Sequence, residues 1–217
     1  MKLKKILTDV LAAGLCATNL ASIPASAYGR VAANVYAARW AYSYNPAYIQ
    51  INSGNGAGDC TNFVSQCVKA GGIAPTRAYT YDVPPAYKNW SMKSTISQWY
   101  MSEKKTRTIG VPYWAYSSSW TQVSHFRTYM KNAGKASVNG YSVNGSTAWF
   151  NTVQMGDVVQ NGITGAGHSV LILTPKSGNN NPTYAGHSDP SYGKDLSNMI
   201  TDARRRGASY LYTVRFY

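Results

Sequence analysis

Few residues of this chain are of the types that carry most enzyme chemistry. Its 217 residues include three cysteines, three histidines and eight aspartates or glutamates, against 21 lysines and arginines. There is no internal repeat, and beyond residue 27 no apolar segment approaches the roughly 20 residues that cross a membrane. No basic stretch has the pattern of a nucleic-acid-binding module. These absences exclude repeat and multi-span membrane proteins and favour one domain with a substantial core.

The first 27 residues have the pattern of a secretory signal peptide. Lys2, Lys4 and Lys5 give a positive start, an apolar stretch covers 10–21, and Ala25-Ser26-Ala27 is a small-residue cleavage site. Cleavage after Ala27 would leave 190 residues, which suits a single domain over residues 28–217. We therefore expect a secreted protein, extracellular or in the cell wall, with no membrane span.

The predicted mature chain is strongly basic. Removing residues 1–27 takes away three lysines and one aspartate, which leaves 18 basic and seven acidic side chains, a net charge of +11. Such a charge favours anionic surroundings, including anionic cell-wall polymers. The basic residues are scattered except at Arg204-Arg205-Arg206. We expect general surface attraction rather than a specific anionic or nucleic-acid partner, and a monomer.

The two cysteines of the predicted mature chain, Cys60 and Cys67, lie in one predicted helix. Seven helical residues separate their Cα atoms by roughly 10 Å, which is beyond disulfide reach. The same distance prevents them from binding one zinc ion together. We therefore expect no metal and no cofactor, with Cys60 free for chemistry and Cys67 in the core.

Cys60 follows a glycine-rich loop and opens the predicted helix, within the run Gly58-Asp59-Cys60-Thr61-Asn62. Unpaired N–H groups and the positive end of the helix dipole favour a thiolate there. The same N–H groups can stabilise an oxyanion beside the sulfur. Asp59 and Asn62 are predicted to shape this site. A second oxyanion donor stays open among Asp59, Asn62 and the tyrosines Tyr42, Tyr44 and Tyr48.

The predicted elements change character along the chain. Helices are predicted over 30–44, with Val31, Val35, Ala38 and Tyr42 in register, and over 60–70 and 120–132. Strands are predicted over 157–160, 168–174, 183–187 and 209–217, with a short helix over 195–206. Helices followed by strands predict an α+β domain in which N-terminal helices pack on a mainly antiparallel sheet.

Residues 72–118 show no clear periodicity but are rich in aromatic side chains. Long irregular segments of this kind often bind ligands. We expect one or two of these aromatics, with Tyr79, Tyr81, Trp99 and Trp114 as candidates, to line a substrate cleft. Trp120 is expected to pack inside.

A cysteine nucleophile needs a base, usually a histidine, and the base needs an orienting group. His168 opens a predicted apolar strand after a glycine-rich turn, and His187 closes the next strand. If these strands are antiparallel neighbours, the two histidines should lie side by side as base and orienter. Asp189 is an alternative orienter. His125 lies in an amphipathic helix and is expected to be a surface or packing residue.

These motifs resemble the Putative amidase domain family of secreted bacterial proteins. The resemblance rests on the run from Gly58 to Gln66, on Ser119-Trp120-Thr121-Gln122-Val123, on Gly156-Asp157-Val158-Val159-Gln160 leading to His168-Ser169, and on Gly186-His187-Ser188. That family is related to the NlpC/P60 and CHAP cysteine hydrolases, which have a papain-like fold. The resemblance implies hydrolysis of amide bonds, most plausibly in peptidoglycan, by a Cys60, His168 and His187 triad. The match is loose over 74–114, so substrate details do not carry over.

Two other functions fit the same residues. Net charge and aromatic content are also typical of a wall-binding module with a lost activity. A Cys-His-His triad also serves acyltransferases, in which an amine acceptor replaces water.

Overall fold

A computed structural model describes the chain over residues 27–52, 58–76, 84, 87–102, 104–106, 110–163 and 167–217. The predicted signal peptide, apart from its last residue, lies outside the described residues, as do Tyr79 and Tyr81. No helix in these ranges has the length and apolar character needed to cross a membrane.

Helix α1 spans Arg30–Trp40 and is shorter than predicted. Its buried face was also predicted wrongly. Val31 and Val35 are each 64% exposed and Tyr42 is 71% exposed, whereas Ala33, Ala37 and Ala41 are fully buried. The small alanine side chains let α1 pack against its neighbours, so this face is buried despite its lower hydrophobicity.

Helix α2 spans Cys60–Ala70, as predicted. Every residue from Cys60 to Val68 is buried, so the helix is enclosed on all sides. Its end meets the first described part of the chain closely: a Cβ on Gly71 would lie 2.2 Å from the ring of Tyr28. Only glycine fits at this contact.

The segment predicted to be irregular contains a small sheet. Strand β1 is Trp90–Lys93, β2 is Lys105–Thr106 and β3 is Pro112–Ser117. Strand β3 lies in the middle, parallel to β1 and antiparallel to β2. The pairing of β1 with β3 joins residues more than 20 positions apart, so no local sequence pattern predicts it.

The helix predicted over 120–132 is two helices. Helix α3 is Ser118–Thr121 and α4 is Val123–Asn132. Gln122 between them has extended backbone angles, with φ of −108° and ψ of 132°. Phe126 and Met130 of α4 are fully buried and belong to the core.

The main sheet has six strands: β4 Ala136–Ser142, β5 Val158–Asn161, β6 Ser169–Thr174, β7 Thr183–Gly186, β8 Ser191–Asp195 and β9 Tyr210–Phe216. Their order is β4-β9-β5-β6-β7-β8, with antiparallel neighbours throughout. Helix α5, Leu196–Arg205, precedes β9. The four predicted strands are confirmed, and β4 and β8 were missed.

Alternate residues of the central strands face two different cores. Leu171 and Val158 belong to the cluster that includes residues of α1, α2 and α4. Val170 and Val159 belong to the opposite cluster, which includes α5. Successive side chains of a strand point to opposite faces of the sheet, so neighbouring residues pack into opposite clusters. The predicted α+β class with an antiparallel main sheet is therefore confirmed, with helices on both faces.

Candidate active site

Cys60 lies at the first position of α2, beside the main sheet. Helical bonding of α2 begins with the N–H of Phe63 donating to the carbonyl of Asp59. Helix geometry therefore leaves the preceding N–H groups without intrahelical acceptors. Cys60 itself is only 4% exposed. The sulfur thus sits at the predicted helix start but in a more enclosed setting than the sequence indicated.

The Cys60 sulfur has several hydrogen-bond donors around it. Thr61 Oγ1 lies 3.8 Å from Sγ, and the backbone N–H groups of Thr61 and Ser169 also point to the sulfur. These contacts lower the pKa of the thiol, but its burial outweighs them, and the pKa is raised above the ordinary thiol value. The predicted thiolate is therefore not favoured in the free protein, because burial disfavours the charged form.

A buried chain of polar groups leads to this sulfur. Gln160 Nε2 donates to Ser169 Oγ at 2.9 Å, and Ser169 Oγ lies 2.9 Å from Thr61 Oγ1. All three side chains are buried. With hydroxyl hydrogens directed along the chain, each group donates to the next and Thr61 donates to Cys60. This arrangement ties Cys60 to strands β5 and β6.

His168 immediately precedes β6. Its backbone N–H donates to Asn161 Oδ1 at 2.7 Å, which holds the turn between β5 and β6. On the neighbouring strand, a Cβ on Gly186 would lie 3.6 Å from His168 Nε2, so the imidazole rests against a glycine. Burial, chiefly, lowers the pKa of His168 to about 4. The imidazole is therefore neutral at neutral pH and able to accept a proton.

Cys60 and His168 line one cavity of about 750 Å³. Gly58, Ser188 and Tyr184 also line it, and the α5 side contributes Met199, Asp202, Arg205 and Arg206. Two ion pairs lie in its wall: Asp189 with Lys194 at 2.7 Å, and Asp202 with Arg206 at 2.8 Å. The structure thus brings the predicted nucleophile and base to one cleft with a polar, charged wall.

His187 is placed differently from the prediction. Its Nδ1 lies 2.7 Å from Asp59 Oδ2 and its Nε2 lies 2.7 Å from the carbonyl oxygen of Trp40. Leu171 pairs with Ala185, and this register, continued, sets His187 opposite Ser169 rather than His168. Since side chains alternate between faces, the two imidazoles do not lie side by side. A catalytic role for His187 stays a prediction.

The alternative orienter, Asp189, lies in the cavity wall and pairs with Lys194. This hydrogen bond is the main cause that lowers the pKa of Asp189. Within the described ranges, no side chain makes a hydrogen bond to either ring nitrogen of His168. The orientation of the imidazole therefore depends on its backbone position and on packing.

Asp59 and Asn62 form a rigid buried support beneath the site. Asp59 Oδ1 accepts hydrogen bonds from the N–H of Ile51 and from Asn62 Nδ2, both at 2.8 Å. Asn62 Oδ1 accepts from Trp120 Nε1 at 2.9 Å. With their side-chain polar atoms bound within the protein, these two residues supply no free oxyanion donor, and their role in shaping the site stays a prediction.

Trp99 and Trp114, which were predicted to line the cleft, lie elsewhere in the structure. Trp99 is fully buried, donates from Nε1 to Ser65 Oγ, and stacks on Trp120 at 4.6 Å. Its assignment to substrate binding was wrong. Trp114 is half-buried, donates to the carbonyl of Ala47, and does not line the described cavities beside Cys60. The predicted burial of Trp120 is confirmed.

Several residues of the cleft were not predicted as site residues. Tyr184, Lys194, Asp202 and Arg206 line the cavity. They lie on β7, β8 and α5 or directly after it, and reach the cleft only through the tertiary packing. The Arg204-Arg205-Arg206 run was the one sequence signal available, since clustered charge stood out there. Across the described residues, no group of three His, Cys, Asp or Glu side chains is arranged to hold a metal ion.

Comparison with known proteins identifies the family of the chain. The chain resembles "Uncharacterized protein YhbB" of Bacillus subtilis (strain 168), with 29% identity over 155 residues, which are 70% of this chain and 39% of that relative. The match thus spans well under half of the relative's length. No solved structure matches the chain. The profile of the Putative amidase domain matches residues 27–211, so the chain belongs to this family, which indicates a hydrolase acting on amides.

Proposed function

We propose that this protein is a secreted, cysteine-dependent amide hydrolase that acts on peptidoglycan. The observation that carries the cysteine mechanism is the single cavity shared by Cys60, at the start of α2, and His168, at the start of β6. Nucleophile and base at such positions fit the general pattern of a positioned thiol with an adjacent imidazole. Family membership supports the amide as the bond attacked.

In the first step, neutral His168 takes the proton of the Cys60 thiol while the sulfur attacks the amide carbonyl carbon. The low pKa of His168 and the raised pKa of Cys60 favour this starting state over a resting thiolate–imidazolium pair. The C–S bond forms and the carbonyl oxygen becomes an oxyanion. The N–H of Cys60, at the helix start, is the proposed donor to that oxyanion.

In the second step, the C–N bond breaks and the imidazolium of His168 gives its proton to the leaving amine. A thioester on Cys60 remains. Water, deprotonated by His168, then attacks the thioester carbonyl, and the carboxylic acid leaves as the thiol is restored. Hydrolysis rather than acyl transfer is favoured by the family description, which names an amidase.

The proposed fold relation is to papain-like NlpC/P60 and CHAP hydrolases. The order of elements supports it, because the cysteine opens a helix that precedes an antiparallel sheet and the histidine opens a strand of that sheet. The cell-wall substrate and export are supported by the signal-peptide pattern and by the basic charge of the predicted mature chain.

The test compares two cysteine variants from the same helix. Cys60→Ala should abolish release of new amine or peptide termini from purified peptidoglycan, whereas Cys67→Ala removes an equally buried thiol remote from the cavity and should retain activity. Mass spectrometry of the digest identifies the bond, because each amide leaves a different mass and terminus. Activity retained by a folded Cys60→Ala protein would refute the cysteine mechanism. Cys60-dependent cleavage of other amides, with peptidoglycan untouched, would refute the substrate.

A further inference from the structure

A second cavity, of about 310 Å³, also reaches Cys60. It shares Gly58, Cys60 and Gly167 with the larger cavity, and its other walls come from the start of α4 and the end of β5. Cys60 thus lies where two depressions meet. An amide held at the sulfur therefore has room for a substituent on each side.

Arg127 of α4 is the charged residue that lines this second cavity. Its guanidinium carbon stands 4.2 Å above the ring of Tyr212. Its Nη1 is buried and has no hydrogen-bond partner among the residues that the structure describes. No carboxylate occurs among the described residues that line the cavity. Arg127 as a whole is half-buried, so the cavity wall carries a cationic side chain with no described carboxylate beside it.

Arg127 is only half-buried, but its buried Nη1 has lost hydration and gains no hydrogen bond, which is unfavourable for a cationic group. The stack on Tyr212 holds the planar group in place and compensates for only part of this loss. A carboxylate fits this guanidinium group best, since its two oxygens match the guanidinium fork and its charge offsets the cation. An uncharged amide group would satisfy one donor and leave the charge unpaired.

We propose that Arg127 binds a carboxylate of the substrate, so that the preferred substrates are amides carrying a free carboxylate a few bonds from the carbonyl that Cys60 attacks. This inference rests on the proposed role of Cys60. It adds a substrate class, acidic or carboxyl-terminal peptide amides, and a specificity-determining residue outside the predicted triad.

The test uses alkylation of Cys60 rather than hydrolysis. N-iodoacetylglycine and N-iodoacetylglycinamide carry the same reactive carbon and differ in one carboxylate. In both reactions the Cys60 sulfur forms a C–S bond while the C–I bond breaks and iodide leaves. Second-order rates at fixed pH and salt give a ratio of acid to amide for each protein. Mass spectrometry confirms that modification occurs at Cys60 and not at the fully buried Cys67.

The matched variants are Arg127→Gln and Lys131→Gln. Both remove one positive charge from α4, but Lys131 is exposed and does not line the cavity. We expect Arg127→Gln to lower the acid-to-amide ratio about tenfold, as for the loss of a charged hydrogen bond. Lys131→Gln should leave the ratio unchanged. An unchanged ratio in Arg127→Gln, or an equal fall in both variants, would overturn the proposal.

A measurement on the unaltered protein covers the case in which Arg127→Gln does not fold. N-acetylglycine should protect Cys60 from iodoacetamide, and N-acetylglycinamide at the same concentration should not. Equal protection by the two compounds would overturn the proposal. Neither result depends on catalysis, so a failure of the proposed hydrolase function would be seen separately, as activity that survives in Cys60→Ala.

Discussion

Nδ1 of His187 lies 2.7 Å from Oδ2 of Asp59, and this contact joins the end of β7 to the residue that precedes Cys60. The imidazole also stacks on Phe63, with ring centroids 4.1 Å apart. Its Nε2 lies 2.7 Å from the carbonyl oxygen of Trp40, the last residue of α1. His187 thus connects α1, α2 and β7 around the base of the site.

Replacing His187 with alanine should weaken the fold more than the chemistry. Loss of two buried hydrogen bonds leaves Asp59 and the Trp40 carbonyl short of partners, which should lower the free energy of unfolding by about 1–3 kcal/mol per orphaned group. Urea denaturation would measure this change. His125→Ala is the control, since His125 makes one side-chain contact, to Ser118 Oγ, on a partly exposed helix face.

The activities of His168→Ala and His187→Ala should differ. Loss of a general base should lower kcat/KM by about 100-fold or more, whereas folded His187→Ala should retain most of its activity. If His187→Ala is as inactive as His168→Ala at unchanged stability, then His187 is the third catalytic residue, as the sequence predicted.

The pH dependence of Cys60 reactivity should be that of a buried thiol. Burial raises the pKa of Cys60 and lowers that of His168 to about 4, so the thiol and the neutral imidazole coexist through neutral pH. The thiolate fraction, and with it the rate of alkylation by iodoacetamide, should rise with pH and continue to rise above about 8.5, the ordinary thiol pKa. Stopped-time alkylation followed by mass spectrometry measures this profile. A rate that is already constant between about pH 5 and 7 would instead show a thiolate–imidazolium pair.

Asp157 should be the most stabilising acidic residue outside the site. Its side chain is fully buried and pairs with Arg30 at 2.8 Å and Arg215 at 2.7 Å, while its Oδ2 also accepts from the N–H of Gln154. Removing one partner of a buried ion pair costs about 3–5 kcal/mol, so Asp157→Ala should lower the unfolding free energy by that amount. Thermal and urea unfolding would show it.

Asp202→Ala is the matched control for that change. Asp202 also pairs with two arginines, Arg205 and Arg206, but on an exposed surface. Exposed pairs of this kind contribute about 1 kcal/mol or less. Equal losses of stability in the two variants would contradict the view that burial makes the Asp157 cluster important.

Local patterns predicted the helices and strands better than they predicted which faces are buried. The period of α1 was recognised, but Ala33 and Ala37 are buried instead of Val31 and Val35. Valine is more hydrophobic than alanine, so hydrophobicity predicts that the valines are buried. Other elements pack so closely against α1, however, that only small side chains fit at the contact. Trp99 was misplaced for a related reason, since aromatic residues occur both in cores and at binding surfaces.

Strand register explains why His168 and His187 do not lie side by side. The sequence placed His168 and His187 at the adjoining ends of neighbouring strands, and the structure has those strands paired. A shift of one residue decides whether two side chains share a face. No sequence pattern sets the register that closely here, and the structure directs His187 to Asp59 rather than to His168.

The sequence by itself determined the order of the main helices and strands, the place of Cys60 at a helix start, and the strand-end position of His168, because each depends on neighbouring residues. Only the tertiary structure decided the burial that raises the pKa of Cys60, the partner of His187, and the position of Arg127 in a cavity that reaches Cys60. These depend on contacts between segments far apart in the chain. The helix start favours a thiolate, but the surrounding segments remove water from the sulfur, and this desolvation is the larger effect.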